Sequence, residues 1–187
     1  MTSGERAAFL AERGIDAFVA PLGHSPSDGR ILGLERDIDV LLLGAMNVPH
    51  RRRVVRRLRR AGVPVLTAGD YHDPSLWGES RTALVNRAKI MLSAGRFPGT
   101  LVGARFQIAM ACGALVVSEP PYDPAPYVPG EHFVQAEIDD LPVVIERYLG
   151  DDNERARIAQ AAHRFVTTEL TMERSFSALL DVVASRL

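Results

Sequence analysis

The sequence has little from which disulfide bonds or a membrane span could be built. Its 187 residues include a single cysteine, Cys112, so no disulfide can form within the chain, and the composition does not indicate a secreted, disulfide-stabilised scaffold. Its purely apolar runs, such as 40–43 and 114–117, are far shorter than the roughly 20 residues of a transmembrane helix. The N-terminus lacks the basic start and apolar middle of a signal peptide. These features predict a cytoplasmic protein with no membrane span.

Lysine is almost absent, and no overall positive charge is available for nucleic-acid binding. Lys89 is the only lysine, and the formal net charge is −1. The charge is unevenly placed, because residues 51–60 hold seven arginines whereas residues 119–155 hold ten Asp or Glu against two Arg. No aromatic residue lies among the seven arginines, so we expect a solvated or partner-facing helix there rather than a nucleic-acid interface.

Short apolar segments alternate with helical ones through most of the chain. Strands are predicted at residues 39–44, 63–67, 89–93 and 114–118, with helices between them and three further helices from residue 140 to 186. This alternation predicts an α/β protein, a three-layer α/β/α doubly wound parallel sheet of Rossmann-like type with C-terminal helices.

The first 36 residues do not follow this alternation. A helix is predicted at residues 4–13 and a short apolar strand at 16–20, followed by a turn-rich connector. We therefore expect two parts, an N-terminal helix, strand and connector over residues 1–36 and the main domain over residues 37–187.

Two common nucleotide-binding motifs are missing. Neither GxGxxG nor GxxxxGK[ST] occurs, which disfavours a nicotinamide oxidoreductase and a P-loop ATPase. Ligands of doubly wound sheets bind outside the carboxyl ends of the strands, so the loops of interest are 44–51, 67–75, 93–101 and 118–131.

Four residues in these loops are candidates for contact with a phosphate. Gly44 and Asn47 lie between the first strand and the next helix, where backbone N–H groups can approach an anion. Arg51 falls on the buried stripe of that helix, in its first turn, where its guanidinium can lean over the sheet edge. Thr100 is expected to be the N-cap of a helix at 101–112, which would leave free N–H groups facing the site.

The order of several segments resembles one family. The segments are Asp37–Gly44, Arg87–Leu92, Arg105 with Ala109–Ala114, Pro129–Glu131 and Tyr148–Arg155. Together they resemble the C-terminal, nucleotide-sugar-binding half of GT-B glycosyltransferases, especially the CgeB-like group of the group-1 families. The resemblance implies one half of a GT-B fold, a nucleotide diphosphate-sugar as donor substrate, no separate cofactor, no bound metal, and Arg105 as a lining residue of the ligand site. It also implies that residues 1–36 are the remnant of a missing N-terminal domain.

The chain departs from the family pattern at two positions. The family's ribose-binding glutamate falls on Ile108, and its partner carboxylate in retaining relatives falls on Thr100. Glu119, at the end of the fourth strand, is therefore the remaining candidate to accept hydrogen bonds from hydroxyls. Two functions stay open, a glycosyltransferase and a non-catalytic, degenerate subunit that binds a partner protein. We expect a homo-oligomer or a partner subunit that supplies the acceptor domain.

The histidines give no sign of a metal site. No two of the five have the spacing of metal ligands. His72, with Asp70 and Asp73 near it in the sequence, is a weaker candidate for contact with a base or sugar. Tyr71 is a weaker candidate for stacking on a ligand.

Overall fold

A computed structural model describes residues 4–69 and 76–186, and its centre is a five-stranded sheet. The strands are β1 Ile38–Leu43, β2 Leu66–Ala68, β3 Ala88–Ser93, β4 Leu115–Ser118 and β5 Val134–Gln135. Their order is β2-β1-β3-β4-β5, and every neighbouring pair is parallel. The predicted doubly wound parallel sheet is confirmed.

Seven helices accompany the sheet in the described part of the chain. They are α1 Gly4–Ala11, α2 Pro49–Arg60, α3 Gly78–Asn86, α4 Gly103–Ala111, α5 Leu141–Gly150, α6 Asp152–Arg164 and α7 Met172–Ala184, with a π-helical turn at Phe165–Glu169 between the last two. The Asp151 carboxylate accepts a hydrogen bond from the Glu154 backbone N–H at 2.9 Å and caps α6, as the spacing of these two acidic residues predicts. None of the described helices is long and apolar enough to cross a membrane.

Two apolar clusters, one on each face of the sheet, explain why its strands are apolar throughout. One cluster contains Leu41, Met91 and Val116 together with Phe106 of α4 and Phe133. The other contains Val40, Leu42, Ile90 and Leu92 together with Leu58 of α2 and Ile145 of α5. Because successive strand residues point to opposite faces, a sheet covered on both sides needs apolar residues at nearly every position.

The strand order creates a crevice at one place. From β1 the chain moves to β2 on one side, and then returns to β3 on the other side of β1. The connections therefore diverge between β1 and β3, and a topological switch point lies at the carboxyl ends of these two strands. Helix α2 follows β1 and α4 follows β3, so the N-termini of both helices lie at this edge.

Two predicted strands differ from the structure. Residues 16–20 form no strand, so that prediction is wrong. A bridge instead joins His24, which follows them, to the segment before α7: the His24 N–H donates to Leu170 O at 2.7 Å, and the Met172 N–H donates to His24 O at 2.9 Å. Strand β2 begins at Leu66 rather than at residue 63, because Pro64 has no N–H with which to continue the ladder. The division at residue 36 stays a prediction.

The bridge at His24 predicts a steric requirement at the residue before it. A Cβ at Gly23 would overlap the backbone carbonyl of Thr171. Gly23→Ala should lower the free energy of unfolding by about 1–3 kcal/mol, the usual cost of overpacking. Chemical denaturation measures this change. Gly150→Ala, where nothing surrounds the added methyl group, is the matched control and should not destabilise the protein; equal losses in the two variants would contradict the prediction.

Candidate functional site

Two arginine side chains meet above Gly44, the residue that follows β1. Gly44 has a φ of 138°, and its N–H donates to Ala68 O at 2.7 Å. A Cβ at this position would lie 2.7 Å from Nη2 of Arg105 and 2.9 Å from Nη1 of Arg51. The glycine is therefore needed both for the backbone conformation and for the close approach of the two guanidinium groups. The site lies at the β1/β3 switch point.

Arg51 is held in place by backbone oxygens. It is only 7% exposed and shares the buried stripe of α2 with Val54, Val55 and Leu58. Its Nε donates to Ala94 O at 2.9 Å, and its Nη1 donates to Ala45 O at 3.1 Å. The predicted position of Arg51, on the apolar face and over the sheet edge, is confirmed. The six other arginines of α2 are exposed, as predicted.

The Arg105 guanidinium lies beside that of Arg51, and no carboxylate among the described residues pairs with it. Its Nη1 contacts the same Ala94 oxygen at 3.5 Å. Burial, and next the positive charge of Arg51, lower the pKa of Arg105 to about 10. Burial, and next the charge of Arg96, lower the pKa of Arg51. Among residues 4–69 and 76–186, neither Arg51 nor Arg105 forms an ion pair with a carboxylate. The pair is thus a partly desolvated concentration of positive charge.

The first turns of two helices add backbone donors to this edge. The N-cap residues of α2 and α4 are Val48 and Val102, and neither has a side chain that accepts a hydrogen bond. The first N–H groups of each helix therefore lack a side-chain cap, and each helix presents the positive end of its dipole. Arg51 and Arg105 are each the third residue of their helix.

The predicted N-cap role of Thr100 is wrong, because α4 begins three residues later, at Gly103. Residues 95–100 instead fold back into a turn in which the Thr100 N–H donates to Phe97 O at 3.4 Å. A Cβ at Gly95 would lie 2.8 Å from the Cβ of Thr100, so the turn depends on this glycine. Thr100 still lies at the carboxyl edge, in the loop after β3. Asn47 is exposed in the turn between β1 and α2.

Glu119 has a partner that the sequence did not reveal. His50 Nε2 and Glu119 Oε2 are 2.6 Å apart, and the two side chains are 12% and 15% exposed. Glu119 follows β4 and His50 lies in the first turn of α2. They are 69 residues apart in the sequence. The only sequence feature that could have predicted their contact is that each follows a predicted strand.

A large cavity adjoins this edge on the side of the N-terminal segment. Its volume is about 710 Å³, and its walls include Phe9, Leu22, Thr100, Gln107 and Tyr122. The Gln107 amide donates to Leu22 O and so joins α4 to that segment. A second cavity of about 10 Å³ shares Thr100 with it and is also lined by Glu119. The sequence did not predict either cavity.

The remaining candidates lie elsewhere. Ile108, where the resemblance implies a carboxylate, is partly buried against the apolar cluster beneath α4. Asp70, Tyr71, His72 and Asp73 lie outside the described residues. In the part of the chain that the structure describes, no three His, Cys, Asp or Glu side chains are grouped so that they could hold a metal ion.

Solved structures of other proteins share the fold of nearly the whole chain. Sucrose-phosphate synthase from Thermosynechococcus elongatus is 14% identical with a TM-score of 0.76, over 99% of this chain and 57% of that one. Anabaena HepE, solved in complex with UDP and glucose, is 12% identical with a TM-score of 0.74, over 98% of this chain and 62% of that one. The C-terminal domain of the group 1 glycosyl transferase LpcC from Francisella tularensis is 14% identical with a TM-score of 0.60, over 80% of this chain and 100% of that domain.

The first two of these proteins are longer, and this chain spans less than two thirds of either. No curated protein matches the sequence. The finer resemblance to the CgeB-like group stays a prediction.

A family model described as glycosyl transferase-like matches residues 50–181, which is more than two thirds of the sequence. This range includes Arg51, Arg105 and Glu119. The five-stranded parallel sheet, flanked by helices, matches the Rossmann-like half-domain of GT-B glycosyltransferases. The chain therefore belongs to the glycosyl transferase-like family.

Proposed function

We propose that the protein binds a nucleotide diphosphate-sugar and takes part in the transfer of its glycosyl group to an acceptor. The observation that carries the proposal is the pair of guanidinium groups, Arg51 and Arg105, above Gly44. They lie at the switch point of a parallel sheet, where ligands of this fold class bind. Their charges are unpaired among the described residues, and a planar guanidinium matches the oxygens of a phosphate. A diphosphate supplies the missing negative charge.

The arrangement suits the departure of a nucleoside diphosphate. When the bond between the sugar C1 and the phosphate oxygen breaks, its electron pair goes to the diphosphate. Arg51, Arg105 and the first N–H groups of α2 and α4 would stabilise that charge, and they are already oriented before the reaction. Asn47 and Thr100, in the loops on either side, would complete the binding site. The donor is a substrate in this scheme and not a resident cofactor.

A second function, binding of a partner, is favoured by the surface of α7. No residue of this helix is buried. Phe176, Leu180 and Val183 are exposed at the spacing that puts them on one face of a helix. Such a stripe is typical of a helix that packs against another element. The partner would be a second copy of the chain or a subunit that supplies the acceptor domain.

Arg51→Ala should weaken the binding of UDP by about 1–3 kcal/mol, the range for a charge-assisted contact with a phosphate. Arg56→Ala is the matched control, because Arg56 lies on the same helix but is exposed. Isothermal titration calorimetry measures both affinities. Equal losses for the two variants would show that the buried position of Arg51 has no role in binding.

Arg105→Met should raise the free energy of unfolding by about 1 kcal/mol while it weakens UDP binding. Methionine replaces the unbranched aliphatic part of the arginine side chain, and the substitution removes a partly desolvated charge that is repelled by Arg51. Denaturant titration of the free protein tests the first effect and calorimetry the second. Arg60→Met, at an exposed position, should change neither by more than about 0.5 kcal/mol. A clear loss of stability in Arg105→Met would contradict the expectation that repulsion from Arg51 dominates the energy of the Arg105 charge in the free protein.

If α7 forms a contact between copies, sedimentation velocity at micromolar concentration should give a dimer. Leu180→Asp places a charge in the exposed stripe and should yield monomer. Ser177→Asp, exposed on the same helix but outside the stripe, should leave the dimer intact. A wild-type monomer would reject the homodimer, and then only a separate subunit would remain as the partner.

A further inference from the structure

The His50–Glu119 pair joins two elements across the end of β3. His50 belongs to the first turn of α2, the turn that also carries Arg51, and Glu119 directly follows β4. The 2.6 Å contact uses His50 Nε2 and Glu119 Oε2. An ionised carboxylate can only accept hydrogen bonds, so with a carboxylate at Glu119 the Nε2–H of His50 donates the hydrogen bond to Oε2. The imidazole thereby fixes which way the carboxylate faces.

The second oxygen of Glu119 is left with unused acceptor capacity. In the described part of the chain, the only hydrogen bond to the carboxylate is the one from His50. The side chain keeps 15% of its surface exposed, and Glu119 lines the small cavity that adjoins Thr100. A partly desolvated oxygen that can only accept hydrogen bonds recognises donors, and hydroxyl groups are the donors that a nucleotide or a sugar offers.

The distance between Glu119 and the arginine pair matches the length of such a ligand. Neighbouring strands lie about 4.8 Å apart, so the ends of β1 and β4, two strands apart, are separated by about 10 Å. In a nucleotide diphosphate-sugar, rings that carry hydroxyl groups flank the diphosphate on both sides. With the diphosphate over Gly44, one of these rings comes within reach of Glu119.

We propose that Glu119 binds hydroxyl groups of the ligand whose diphosphate lies on Arg51 and Arg105, and that His50 is a positioning residue that holds Glu119 for this role. The proposal rests on the proposed function of the arginine pair. It adds a second recognition element, selective for hydroxyls rather than for negative charge, and it gives the histidine a purpose other than metal binding.

The test is calorimetry with three probes, pyrophosphate, UDP and UDP-glucose. Glu119→Ala should weaken the binding of a hydroxyl-bearing probe about tenfold, the usual effect of losing a hydrogen bond to a charged group. It should leave pyrophosphate affinity unchanged or improve it, because a negative charge is removed from the site. If Glu119→Ala already has a lower affinity for UDP, the contact is with the ribose. If only its affinity for UDP-glucose is lower, the contact is with the sugar.

His50 variants test the positioning role. His50→Ala should also weaken the hydroxyl-bearing probe, whereas His50→Gln, whose amide N–H can still donate to Glu119, should restore most of the affinity. Glu131→Ala, which removes an exposed carboxylate from the loop before β5, is the control and should change none of the affinities. If Glu119→Ala fails to fold, Glu119→Gln keeps an acceptor for His50 and should still weaken the hydroxyl-bearing probe several-fold.

Parallel losses for all three probes in Glu119→Ala and His50→Ala would overturn the proposal, since the pair would then only support the local fold. Unchanged affinities in both variants would overturn it as well. Either result can occur while Arg51→Ala still weakens pyrophosphate binding, in which case the proposed function stands. If wild-type protein binds none of the probes, the proposed function and this inference both fail.

Discussion

The close approach of two guanidinium groups over a glycine is the constraint on which the rest of the candidate site depends. Like charges so close together, in a place with restricted access to water, are unfavourable in the free protein. They persist because backbone oxygens fix them, Ala45 and Ala94 for Arg51 and Ala94 for Arg105. Natural proteins commonly accept such a local cost at a binding site, where a ligand of opposite charge removes it.

The sheet supplies the rigid frame for that approach. Both arginines stand on helices that directly follow neighbouring strands, so their separation is set by the spacing of β1 and β3 and by the short loops after them. Gly44 must lack a side chain, and Gly69, one strand away, approaches Gly44 so closely that an added Cβ would lie 3.1 Å from its nitrogen. The glycines at these strand ends thus permit the close approach of the neighbouring backbone and of the two guanidinium groups.

Periodic features could be predicted from the sequence, whereas contacts between distant loops could not. The helical period alone placed Arg51 on the buried face of α2, and the alternation of apolar segments gave the parallel sheet. The position of Arg105 depended on the resemblance to a family. The Thr100 cap was wrong because a fold-back at Gly95 delays the start of α4. The contact between His50 and Glu119 depends on which strands are neighbours, which no local pattern records. For the same reason, nothing in residues 16–20 showed that they would pass by the sheet without joining it.

The backbone carbonyl of Ala94 contacts both arginine side chains. A carbonyl oxygen has two lone pairs, and this one receives Nε of Arg51 at 2.9 Å and faces Nη1 of Arg105 at 3.5 Å. The geometry of the charged pair is therefore tied to one backbone atom just past β3, between the end of β1 and the Glu119 carboxylate after β4. A ligand that reaches from the arginines toward Glu119 must cross the end of β3. The order of the strands, rather than any one sequence motif, thus determines which side chains lie together at this edge.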